Sequence, residues 1–367
     1  MCISVFFIGK IEVNMFGVKN NKKELRTKFN VEDAFKSFFF LIVVVSVVAL
    51  AYQIVLVMVA ANMGMEYNEL FNTPLVQIIS ISLTPVTFIL YFFIYNKINR
   101  INTRLAVKDE IKKSLLPVSV AMVLAIISIF LITPFVNLME YAFMLMGYIV
   151  DDSVPLLPYM INNPMYLLIG VVVYALLPAI AEEIIFRGTI LRGLNSKYGA
   201  TASIVITSVL FTLAHGSASQ TVYQLLMGVI LGYLALVGGS ILYSFILHFL
   251  NNLLVVLITV FNVVDYLNMR GGMYYANFWQ VLFPIMLFIL ALCLIAVLFF
   301  VLKYLRNVDY FTTSKKNRKQ EEKPVEKKLK VLHFWKDAES LEKIYFVAAF
   351  VLAILMWVVN TSSGFIG

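Results

Sequence analysis

Charge is what this chain has least of. Asp, Glu, Lys and Arg make up only 14% of its 367 residues, against roughly a quarter in soluble domains. With 61% hydrophobic residues and a mean hydropathy of +0.88, that scarcity excludes an ordinary water-soluble globule. Cysteine is nearly missing as well. Cys2 and Cys293 are far apart and the second lies in an apolar run, so neither a disulfide framework nor a thiolate metal site is expected. Histidine occurs three times, and no His-Glu-x-x-His helix is present. No internal repeat relates two halves in the manner of many transporters. Met1 to Gly9 is apolar, but no basic residue precedes it and no small-residue cleavage site follows, so a signal peptide is not expected.

What the chain does have is a succession of apolar runs about 20 residues long, each enough to cross a bilayer as a helix. The fold class this predicts is all-α, a polytopic membrane protein with about nine transmembrane helices. Its parts are a basic tail (1–37), three spans (38–160), core helices (161–262), an eighth span with the loop before it (263–302), a lysine-rich loop (303–340) and a last span (341–367).

The net charge of +8 fits membrane orientation, and nucleic acid is not an expected partner. Lys19, Lys22, Lys23, Arg26 and Lys28 precede the first span, and Lys97, Arg100, Arg104, Lys108, Lys112 and Lys113 follow the second. The alternate loops carry Glu66, Glu69, Glu140, Asp151 and Asp152 instead. The positive-inside rule then places the N-terminus in the cytoplasm. The lysine-rich loop, with Lys315, Lys316, Arg318 and Lys319, reads first as a solvated cytoplasmic segment. The alternative is a surface drawn to anionic headgroups at about 1 kcal/mol per basic residue.

Three polar intrusions interrupt the core runs: Glu182-Glu183 with Arg187, Phe211 with His215, and His248 with Asn252. Ionisable groups at membrane depth are expensive and mark functional sites by default. Helix geometry lets the three meet. Glu182 and His215 lie on either side of a turn near Lys197, both roughly 23 to 27 Å from its tip, and His248 is roughly 13 Å from the turn at Gly238-Gly239. If the first hairpin projects about 10 Å into the cytoplasm, all three sit at similar depth.

Local spacing assigns roles. Glu183 and Arg187 share a helix face at i,i+4 and can pair, while Glu182 is turned about 100° away and left free. His248 and Asn252 share a face too, and Phe211 stands over His215 as a packing wall. A carboxyl lodged in apolar surroundings suits a general base, because desolvation favours its neutral form. Glu182 with His215 would take a proton from a water aimed at a carbonyl carbon. His248 and Asn252 would donate hydrogen bonds to the oxyanion, with Glu183 and Arg187 orienting the site and balancing its charge. Ser217 and Ser219 follow His215, but nothing marks either as an activated nucleophile. No cofactor is expected. Zinc is the alternative, held by Glu182, His215 and His248 as a His₂Glu set.

Blander readings compete for each part. A lone Glu-Arg pair is often structural, a lone histidine is more often a satisfied core residue, and Asn252 alone would be interhelical glue. For the set as a whole, the rivals are a non-catalytic membrane regulator and a transporter using Glu182 as an ion relay.

In this order, Glu182-Glu183-x-x-x-Arg187, Phe211-x-x-x-His215 and His248-x-x-x-Asn252 resemble the motifs of the CAAX protease and bacteriocin-processing (CPBP, or Abi) intramembrane proteases. That family includes the type II CAAX prenyl endopeptidases. The resemblance spans about residues 166 to 260. It implies a CPBP-type helical core and peptide-bond hydrolysis, with Glu182 and His215 activating water and His248 and Asn252 forming the oxyanion hole. The implied partners are the lipid bilayer and a peptide or protein in or at the membrane. Some relatives clip prenylated tails, and bacterial ones are linked to bacteriocin maturation, self-immunity and peptide signalling. The abundance of Ile, Asn and Lys points to a bacterial cell membrane, so the expected substrate is a membrane-associated segment without a prenyl group.

Overall fold

The computed structural model describes residues 25–106, 116–149, 154–261, 278–317 and 339–366. The tail to residue 24, the Lys108 to Lys113 cluster, Asp151, Asp152 and most of the lysine-rich loop lie outside the described residues.

The chain is an all-α membrane bundle. Its long helices are α1 (Val31–Met63), α2 (Pro74–Ile98), α3 (Leu116–Leu145), α4 (Pro164–Asn195), α5 (Ala200–His215), α6 (Thr221–Gly238), α7 (Ile241–Val260), α8 (Phe278–Asn317) and α9 (Ser340–Ile366). Among the described residues, eight of the nine are long and apolar enough to span a membrane. The exception corrects the expected fifth span. At 16 residues, α5 is about 24 Å long, short of the roughly 30 Å hydrocarbon core. It stops because Gly216 adopts a left-handed φ of 63°, which caps the helix directly after His215. The fifth helix therefore presents its imidazole at an end.

The first helix begins at Val31, seven residues before the apolar run suggested. Asn30 accepts from the Asp33 N–H and Asp33 accepts from the Asn30 N–H, a reciprocal capping box. Arg26 pairs with the same Asp33 carboxylate, and its backbone bonds Arg100 O and Asn102 N beyond α2. Charged and capping residues thus extend the helix beyond its lipid-soluble part, which hydropathy alone does not register.

Small residues set how closely the core helices approach. A Cβ at Gly228 of α6 would fall 2.8 Å from Ser208 Cβ, and one at Gly232 would fall 3.3 Å from Ile204. Close backbone approach of this kind is how helices associate where lipid removes the hydrophobic incentive. Gly228→Leu should cost about 1–3 kcal/mol by overpacking, read as a lower melting temperature in detergent. An unchanged melting curve would mean that α5 and α6 part without penalty.

α9 closes the bundle against α1 and α5. Lys197, at the α4–α5 turn, pairs with Glu342 at the start of α9 at 2.6 Å. Near the far end, Trp357 Nε1 donates to Thr221 Oγ1 at the start of α6. Arg26, Arg100, Arg192 and Lys197 accordingly gather at one end of the bundle, with the α1 cap packed on Gly193.

Candidate active site

The site is built on α4, α5 and α7. Around it α4 departs from regular helix. Pro178 cannot donate to the Tyr174 carbonyl, and the preceding stretch Val171–Leu176 is π-helical, with Leu177 N–H reaching Val172 O five residues back. A second π-helical stretch, Glu183–Leu191, begins at the second carboxylate. Such segments widen the turn and recur at functional sites. Sequence spacing did not reveal either one.

Glu183 and Arg187 meet at 2.9 Å, with side chains 2% and 0% exposed. Arg187 also lies over the Phe211 ring, 4.6 Å from its centre, where the ring's negative face attracts a cation. Phe211 is therefore more than a wall. Its ring is 4.5 Å from the His215 ring and 6.2 Å from that of His248, and its carbonyl lies 2.7 Å from His215 Nδ1.

Both histidine tautomers follow from these partners. A carbonyl oxygen only accepts, so His215 Nδ1 carries the hydrogen and donates to Phe211 O. His248 Nδ1, 2.9 Å from Glu183 Oε1, donates to that carboxylate in the same way. In the neutral rings both Nε2 atoms are then left as lone pairs. Both point at one atom: Glu182 Oε2 is 3.8 Å from His215 Nε2 and 3.7 Å from His248 Nε2. That oxygen is buried and has no hydrogen-bond partner among the described residues, although the Glu182 side chain as a whole is 19% exposed. A water inserted between these three atoms can donate its two hydrogens to two of them.

The structure thus brings Glu182, Glu183, Arg187, Phe211, His215 and His248 together. Asn252 follows one turn beyond His248 and lines a cavity of about 410 Å³ beside the cluster. Neighbouring Asn251 is buried in the same wall, its Oδ1 accepting from Tyr223 at 2.7 Å. Neither Asn251 nor Tyr223 belongs to a recognisable spacing, and only the packing of α6 on α7 exposes the pair.

The donor types at the cluster are those of a His₂Glu zinc site. The two Nε2–Oε2 separations, 3.8 and 3.7 Å, lie a few tenths of an ångström outside the roughly 3.4 Å of ligands about 2.1 Å from an ideal tetrahedral ion. Among the described residues, no three His, Cys, Asp or Glu side chains are arranged to hold a metal ion.

Fold and site define a polytopic all-α membrane protein with a buried carboxylate–imidazole cluster on its core helices. Residues 164–254, about a quarter of the chain, are similar to the family described as type II CAAX prenyl endopeptidase Rce1-like, in keeping with the resemblance to the CPBP, or Abi, intramembrane proteases. All seven motif residues fall within the matched segment. The description of that family is of an endopeptidase. Neither the curated proteins nor the solved structures gave a match.

Proposed function

We propose that the cluster hydrolyses a peptide bond of a membrane-associated peptide or protein by activating a water directly. The observation that carries this reading is the partnerless Glu182 Oε2, faced by two imidazole nitrogens at nearly equal distance. A water held there donates one hydrogen to Glu182 and the other to His215 Nε2. As its oxygen attacks the carbonyl carbon, Glu182 takes the first proton. The developing oxyanion is met by Asn252 and by His248. With Nδ1–H committed to Glu183, His248 meets the oxyanion through Nε2, which donates once it carries a proton. The proton on Glu182 then passes to the amide nitrogen, the C–N bond breaks, and the second hydrogen of the water leaves as a proton through His215 Nε2 to solvent, so that a carboxylate and an amine are released. Glu183 holds the imidazole in position, and Arg187 balances its charge.

Zinc at Glu182, His215 and His248 would instead polarise the carbonyl and the water, and the two routes are separated by experiment. Cleavage of a membrane-extract peptide mixture by the purified protein, followed by mass spectrometry, tests the proposal. Asn252→Ala should slow it about 10²- to 10³-fold, the usual effect of losing one oxyanion donor. Incubation with a chelator should leave the rate unchanged. A loss that zinc restores would transfer the cluster to a metal mechanism, and a rate unaffected by Asn252→Ala would remove the oxyanion role.

The basic bundle end, carrying Arg26, Arg100, Arg192 and Lys197, is proposed to face the cytoplasm of a bacterial cell. A cysteine at Lys197 should then be labelled by impermeant thiol reagents only from that side, whereas labelling from outside would invert the orientation.

A further inference from the structure

The 410 Å³ cavity beside the cluster falls within the size range of ligand pockets, and its lining is unusual for a protein surrounded by lipid. Carboxamides from three helices and one helix cap converge on it: Asn137 of α3, Gln220 just before α6, Gln224 of α6, and Asn251 and Asn252 of α7. Asn137 is buried, and its Nδ2 has no hydrogen-bond partner among the described residues. Leaving such a donor unpaired in the interior is costly, so a ligand that accepts from it gains what the empty protein forgoes.

Carboxamides offer both a donor and an acceptor, which matches the repeating C=O and N–H of an extended peptide. An isoprenoid chain uses neither. The described lining holds one carboxylate, Glu140, and no Lys, Arg or His, so a phosphate headgroup finds no cation there. The cavity also has a direction. It lies along the second half of α3, the first half of α4, the start of α6 and the end of α7, away from the basic bundle end. Asn252 belongs both to its wall and to the proposed oxyanion hole.

We infer that this cavity is the substrate-chain subsite, taking an extended, unlipidated peptide segment that enters from the end opposite the basic one and reaches the cluster past Asn252. This rests on the protease reading for its purpose, although binding is measurable without cleavage.

The test uses the full-length protein in nanodiscs, with a degenerate mixture of unlipidated decapeptides as one probe and the same mixture ending in farnesyl-cysteine methyl ester as the other. Retention is measured on Glu182→Gln protein, alone and combined with either of two further substitutions. Asn137→Ala removes the unpaired donor. Gln220→Trp blocks the rim from an exposed position, where folding is least disturbed. Each should weaken retention of the unlipidated mixture about tenfold, at unchanged melting temperature. In the catalytically intact background, each should raise KM with kcat unaltered. Retention unaffected by both substitutions, or confined to the farnesylated mixture, overturns the subsite. Absence of cleavage by the wild type, with retention still lost in the variants, would overturn the protease reading and leave the cavity assignment standing.

Discussion

Glu182→Gln is expected to lower peptide cleavage by about 10²- to 10⁴-fold, the range for losing a general base, while the protein stays folded. The amide is nearly isosteric with the carboxylate, and Glu182 forms no hydrogen bond that holds helices together; its Oε2 stands 3.7 and 3.8 Å from the histidines. A carboxamide cannot accept and pass on a proton at neutral pH. The KM should change little, because Glu182 contacts the water and not the rest of the substrate chain. Steady-state cleavage and a detergent melting curve read the two halves of the prediction. A variant that remained active would favour Glu182 as a bystander to a scaffold or transport function.

The second large effect is on stability. Arg187→Met should destabilise the protein by about 3–5 kcal/mol, the penalty for leaving half of a buried ion pair. Glu183 would then be 2% exposed with His248 Nδ1 and the Ser244 hydroxyl left beside it. The double substitution Glu183→Gln with Arg187→Met removes both charges and should recover most of the lost melting temperature. It should not recover cleavage, because His248 would have lost the carboxylate that fixes its ring. A double variant as unstable as the single one would show that packing of Arg187 on Phe211, at 4.6 Å, outweighs the charge pairing.

Apolar runs alone made the helical membrane bundle legible, because lipid leaves each span little choice but to satisfy its own backbone as a helix. The ends were harder. α1 starts at Val31 through a polar capping box, and α5 stops at Gly216 before reaching membrane length. Both boundaries are set by individual hydrogen bonds and one backbone angle, which a hydropathy window averages away. The pairing of Glu183 with Arg187 could be read from i,i+4 spacing because it is local. The ring of contacts around Phe211, the shared target of the two Nε2 atoms and the Asn251–Tyr223 bond all join separate helices. Such contacts depend on helix rotation and on the π-helical turns of α4, and neither leaves a signature in residue order.

Terminal-peptide proteomics of cells carrying wild-type, Glu182→Gln or His248→Ala protein at equal abundance tests the central claim most directly. A shared set of new peptide termini, present with the wild type and missing with both variants, is the predicted result. Termini that persist in either variant at wild-type levels would mean that the carboxylate and the imidazole do not serve one reaction.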